Sequence, residues 1–240
     1  MGQKRQALST LTRVRVVLLH SALGDSRLWQ RQVDALSGRF DVVAPDLSGF
    51  GSTAMPREAF SFVEEVKPHL PGALVGNSFG GMVALRAASA FPDLVSRLVL
   101  IGAGMPDWQF TEEMRTYWAA EGEAIDAGDL DAATEISLAE WLPPELHDEV
   151  RPQQLRALQL QTAHAEPELE WPEFDLATVT MPTLVVVGKR DKPDFQAIAR
   201  HLAENIANAE LVEVEGAGHI VGLEQPDVLN ALLLEFLSAS

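Results

Sequence analysis

The sequence predicts an α/β domain, a mainly parallel sheet of about six strands with helices on both faces and a helical cap insertion. Two observations carry this reading. Six short runs of Val, Leu and Ile alternate with longer amphipathic stretches, and one long acidic segment between the fourth and fifth runs contains no such run. The 240 residues, 47% hydrophobic and 22% charged, suit one large domain with a sizeable core rather than two independent ones.

Taken in order, the first strand falls on residues 14–19 and the second on 41–44, with Trp29, Val33 and Leu36 on one helical face between them. A short helix over 58–70 precedes the third strand, at 73–76, and the fourth lies at 98–101. The fifth and sixth fall on 183–187 and 210–214. Phe195, Ile198, Ala199 and Leu202 share a helical face behind Pro193, whose fixed φ suits a first turn. A last helix follows Pro226, with Val228, Leu229, Leu232, Leu233, Phe236 and Leu237 as its apolar stripe. The central runs are continuously apolar, as strands covered on both faces are, whereas the sixth alternates as an edge strand does.

Residues 105–178 break the rhythm. They hold eighteen acidic residues against Arg115, Arg151 and Arg156, a formal charge of −15 out of −17 for the whole chain. Trp108, Trp118, Trp141 and Trp171 also fall here. A strandless, acidic, Trp-rich stretch between two strands reads as a cap over a core made of 1–104 and 179–240; the alternative is more helices of the same layer.

Several function classes drop out. With no cysteine there is no disulfide framework, thiolate metal site or cysteine nucleophile. The strong negative charge disfavours nucleic acid, whose phosphates need clustered Lys and Arg. Residues 1–11 are polar and basic without a leader's apolar region, and Gln6 stands where N-myristoylation needs Ser or Thr. No apolar run reaches membrane-spanning length. The expectation is a cytoplasmic protein without membrane partner, metal or cofactor, a monomer or homodimer.

The chemistry centres on Gly76-Asn77-Ser78-Phe79-Gly80, which follows a strand and precedes a helix. In that setting the pattern exposes a serine hydroxyl on a sharp turn at the carboxyl edge of the sheet; the plain alternative is a polar turn and helix cap. A hydroxyl needs a base to become a nucleophile. Of six histidines, His219 lies in a glycine-rich loop just past the last strand. His20 ends a strand and suits loop shaping, while His69, His147, His164 and His201 read as surface residues. A carboxylate should orient the imidazole. Asp191 follows the fifth strand, with Asp194, in the next helix's first turn, as its rival. The order Ser78, Asp191, His219 is nucleophile, acid, base.

With these segments in sequence, the chain resembles α/β-hydrolases of the lidded esterase, enol-lactonase and carbon–carbon hydrolase group, over essentially everything outside the cap. Residues 18–24 resemble the His-Gly oxyanion loop, with Trp29 at a matching distance, and residues 46–51 resemble the Asp-x-x-Gly-x-Gly loop. The resemblance implies an oxyanion hole from the backbone N–H groups of Ala22 and Phe79. Ser21 departs from the usual Gly, as in the enol-lactonase branch, and either adds a donor or fills space. The short start implies that the family's leading β-hairpin is missing or reduced. Asp46 reads as a loop-holding carboxylate. Trp108, Trp118 and Trp141 either line a pocket or pack the cap onto the core.

The function expected is a serine hydrolase that opens a small-molecule ester or lactone through an acyl-enzyme on Ser78. Diketone carbon–carbon hydrolysis and cofactor-free haloperoxidase or perhydrolase chemistry are the enzymatic alternatives. The non-enzymatic one is a hydrolase scaffold that only binds a small ligand.

Overall fold

In the computed structural model, residues 13–165 and 167–239 are described. The expectations for the polar start, covering a leader, N-myristoylation at Gln6 and a leading hairpin, fall on residues 1–12 and lie outside them. No described helix is long and apolar enough to cross a membrane.

Six parallel strands form one sheet: β1 (Arg15–Leu19), β2 (Asp41–Val43), β3 (Gly72–Asn77), β4 (Val95–Ile101), β5 (Thr183–Gly188) and β6 (Ala209–Val214). Their spatial order is β2-β1-β3-β4-β5-β6, with β6 at an edge as its alternation implies. The helices of the two faces are α1 (Gln30–Leu36), α2 (Phe62–Val66), α3 (Phe79–Ala90), α7 (Pro193–Asn205), α8 (Val221–Glu224) and α9 (Pro226–Ser238). Between β4 and β5 run α4 (Glu112–Asp126), α5 (Leu130–Trp141) and α6 (His147–Gln161). The helix expected over 58–70 is shorter: α2 is five residues, followed by one tight turn over Lys67–His69 that holds Pro68.

Because successive strand side chains point to opposite faces, each strand feeds two cores. Val17, Leu19, Leu74, Leu98, Leu100, Val185 and Val187 pack against α2, α3 and α7. Val16, Leu18, Val75, Val99, Ile101, Leu184 and Val186 pack against α1, α8 and α9. A third apolar cluster joins Leu138, Leu142 and Val150 of the inserted helices to Leu23, Leu28, Ile220 and Leu223 of the core loops.

The chain leaves β1 toward one edge of the sheet and β3 toward the other. Loops from the carboxyl ends of these neighbours therefore splay apart and leave a crevice, which is where open α/β sheets hold ligands.

Candidate active site

The turn after β3 brings the backbone of Ser78 to φ 54° and ψ −113°, a strained conformation for a residue with a Cβ. Its neighbours show why glycine is required there. A Cβ on Gly76 would meet the carbonyl oxygen of Gly80 at 2.2 Å, and a Cβ on Gly80 would meet that of Leu19 at 2.2 Å. Backbone bonds pin the turn: Ser78 N–H donates to Ile101 O (2.9 Å), and Gly104 N–H donates to Ser78 O (3.2 Å).

Ser78 Oγ lies 2.8 Å from His219 Nε2. On the far side of the ring, His219 Nδ1 lies 3.0 Å from each carboxylate oxygen of Asp191. An ionised carboxylate only accepts, so in the neutral ring the proton sits on Nδ1 and the Nε2 lone pair faces the serine. Asp191 and His219 are each 5% exposed, which keeps bulk water from competing for these bonds. Asp194 is placed elsewhere: it accepts from Thr111 N–H (3.1 Å) and from Thr111 Oγ1 (2.5 Å), tying the start of α4 to α7.

The loop bearing the imidazole is held from two sides. Glu224 accepts from Gly218 N–H (2.8 Å) and Ile220 N–H (3.2 Å), the residues flanking His219. Asn77 Nδ2 donates to His219 O (3.2 Å) and Ile101 O (2.8 Å). The ring itself is flanked by Trp141 and Phe195, both with centroids 4.4 Å from its own.

The loop after β1 supplies the other wall. Among the described residues, the N–H groups of Ala22 and Phe79 have no acceptor, and both residues line the cavity beside Ser78. Ser21 lines it too and accepts from Leu23 N–H (3.3 Å), so its hydroxyl shapes the loop. Gln154 of α6 steadies the same loop. In the amide orientation that satisfies both of its ends, its nitrogen donates to Ala22 O (3.0 Å) and Leu23 O (3.1 Å).

His20 and Asp46 hold the base of that loop. His20 Nδ1 donates to Ser21 O (2.9 Å) while Nε2 accepts from Leu47 N–H (3.1 Å), an arrangement that needs the neutral ring. Burial lowers its pKa, against the opposing pull of that bond to Ser21 and of Asp46. Asp46 accepts from Ser26 N–H (3.0 Å) and Ser52 N–H (2.9 Å). Burial alone would push its pKa up, but the hydrogen bonds from Ser26 and Ser52 hold it below the ordinary value.

A cavity of about 290 Å³ opens over Ser78 and is walled by Phe110, Tyr117, Trp118, Trp141, Phe195 and Met82. A second, of about 220 Å³, lies on the other side of Ala22 and Phe79 and is lined by Phe50, Met55, Phe60 and Phe62. Trp118 and Trp141 thus reach the cavity, whereas Trp108 does not: its ring packs edge-on against His201 of α7 at 5.8 Å. His147 and His164, read as surface residues, are half-buried and bonded to the carbonyls of Leu142 and Met55.

Sequence reasoning missed Asn77, Gln154, Tyr117, Glu121 and Glu224. Asn77 had a signal in its place before the serine. The others stand on helices whose facing only the packed structure reveals.

Comparison with known proteins agrees with this architecture. The profile described as "Alpha/beta hydrolase family" matches residues 16–232. The 2-hydroxy-6-oxo-2,4-heptadienoate hydrolase of Pseudomonas putida is 28% identical over 231 residues, 88% of this chain and 83% of that protein. Protein ABHD8 of Mus musculus is 25% identical over 260 residues, but the chain spans only 54% of its length. Two solved structures share the fold. A hydrolase from Pseudomonas aeruginosa PA01 gives a TM-score of 0.78 at 23% identity, over 96% of this chain and 92% of that one. The enol-lactonase from Burkholderia xenovorans LB400 gives 0.74 at 21% identity, over 95% and 92%. The matched profile, running from the first core strand into the last helix, makes this chain a member of the alpha/beta hydrolase family.

Proposed function

We propose that the protein is a serine hydrolase acting on a small carboxylic ester or lactone. The observation that carries this reading is the unbroken line from Ser78 Oγ through His219 to Asp191, with bonds of 2.8 and 3.0 Å. His219 Nε2 takes the hydroxyl proton as Ser78 attacks the carbonyl carbon, and then gives it to the leaving alcohol. Asp191 keeps the ring in the tautomer required and stabilises the imidazolium. The N–H groups of Ala22 and Phe79 receive the oxyanion; one such donor contributes on the order of 3 kcal/mol to transition-state stabilisation. Water, activated by the same histidine, then releases the acid. α4, α5 and α6 act as a cap over the acyl-enzyme, and no step calls on a metal or organic cofactor.

Two cavities meeting at the oxyanion donors suit a substrate with two limbs, one on each side of the scissile carbonyl. Neither cavity is lined by Lys or Arg. That favours uncharged or cationic substrates over carboxylates, since a buried anion without a counter-charge is costly.

Carbon–carbon hydrolysis is the second reading, supported by the 28% identity to the heptadienoate hydrolase. A panel of short aryl esters, enol-lactones and vinylogous diketones separates the two: the first two classes should turn over and the third should not. A fluorophosphonate should label Ser78 stoichiometrically, and Ser78→Ala should lose both labelling and turnover. A Ser78→Ala protein that cleaves esters as fast as its parent would refute the assignment.

A further inference from the structure

The cavity over Ser78 contains chemistry that ester cleavage does not use. Tyr117 and Glu121 stand one turn apart on α4, and Ser137 and Trp141 one turn apart on α5, so these four side chains converge on one part of its wall. Apart from His219 and the Tyr117 phenol, Glu121 is the one ionisable group lining this cavity. Among the described residues it takes part in no ion pair; its carboxylate contacts Ser137 Oγ instead.

The cluster has more acceptors than protons. Ser137 carries a single hydroxyl proton, yet Glu121 Oε1, Ala133 O (3.0 Å) and the Gln154 amide oxygen (3.1 Å) all surround its oxygen. The Tyr117 hydroxyl accepts from Trp141 Nε1 at 2.8 Å and directs its own proton to Glu121, so two hydroxyl protons serve the two carboxylate oxygens, Ala133 O and the Gln154 amide oxygen. The phenol pKa is raised, first by burial and then by the negative charge of Glu121. The cavity that Glu121 lines is walled by aromatic rings. Phe110 and Trp118 pack edge to face at 4.8 Å, and Tyr117 and Trp141 at 5.3 Å. A carboxylate in an aromatic-lined cavity is the combination that holds an organic cation, which gains from both an anion and π-surface.

From this juxtaposition of a carboxylate with no cationic partner among the described residues, surplus acceptors and aromatic walls, we infer that the cavity has an alkylammonium subsite at Glu121, so that the substrate is an ester or lactone bearing a protonated amine on one limb. The ammonium donates to Glu121, and the Ser137 proton becomes available to Gln154, the residue that holds the carbonyls of Ala22 and Leu23. The inference rests on the hydrolase reading for the identity of the substrate, though not for the binding of the cation.

Calorimetry with hexylammonium and hexan-1-ol tests the subsite without turnover. The wild-type protein should bind the ammonium at least about tenfold more tightly than the alcohol, a difference of about 1.4 kcal/mol. That advantage should shrink as salt rises from about 0.05 to 0.5 M and vanish in Glu121→Gln. Equal affinities in the wild-type protein, or an advantage that persists in Glu121→Gln, would overturn the subsite. Because the first comparison uses only the unaltered protein, it holds even if the variant folds poorly. Hydrolysis provides the second arm, with pentyl hexanoate set against pentyl 6-aminohexanoate and 5-aminopentyl hexanoate. One amino ester should exceed the neutral parent by about tenfold in kcat/KM. Ammonium binding without turnover of any ester would retain the subsite and overturn the hydrolase reading. Ester turnover with no preference for an amine would do the reverse.

Discussion

Three side chains far apart in the chain meet within hydrogen-bond reach, and their neighbours set how well they do so. Asp191→Asn leaves the shape of the site intact but presents a donor to Nδ1, favouring the wrong imidazole tautomer. We expect kcat to fall by about 10⁴ with little change in KM, read in steady-state kinetics on an aryl ester. Glu224→Gln keeps one of its two loop contacts and should lower kcat by about tenfold, because small displacements of a positioned base are costly. His20 has a different effect, on acid stability. Its folded-state pKa lies below the unfolded value, so the unfolded chain binds the extra proton first. Its contribution is complete above the ordinary histidine pKa of about 6.5 and is lost as pH falls toward the folded value, with a slope of up to about 1.4 kcal/mol per pH unit. Asp46, held low, acts in a more acidic window, below its ordinary carboxylate value. Urea titrations of wild type and His20→Gln between pH 7 and 5 should converge toward the acid end; parallel curves would refute the account.

Among the elements, α6 has a role that its sequence does not announce. Gln154 lies on a helix of the insertion, yet it holds the carbonyls of the loop after β1. Gln154→Leu fills similar space without the donor and should lower kcat about tenfold or more. The melting temperature should drop only modestly, since the helix keeps Val150 and Ala157 buried. Strands were legible because both-face burial writes itself as unbroken Val, Leu and Ile, and the turn at Ser78 because glycines flank it. The proline in the run 58–70 was present in the sequence, but its effect on helix length depends on how α2 meets the sheet. Helix facing was the least legible property. Trp108 and Trp118 sit in the same Trp-rich stretch, but only tertiary packing sends one toward His201 and the other to the cavity.

Seen whole, the molecule concentrates its negative charge in residues 105–178, which carry −15 of the −17 total. Despite that asymmetry, the third apolar cluster makes the inserted helices and the core loops share one buried interface. Heating should therefore give a single calorimetric transition in which the van't Hoff and calorimetric enthalpies agree. A separate early melting of α4 to α6 would show that the insertion folds on its own terms.

The insertion is also fastened along its length. Asp194 holds Thr111 at its start, Arg31 pairs with Glu149 at 2.7 Å midway, and Phe60 bridges Leu169 near its end. Contacts at its start, middle and end hold the insertion against the rest of the molecule. Trp118, 39% exposed, is the part of the cavity wall that also faces the surface. On the hydrolase reading proposed above, a substrate has to fit a chamber of about 290 Å³ with the inserted helices in place, which points to small molecules rather than polymers.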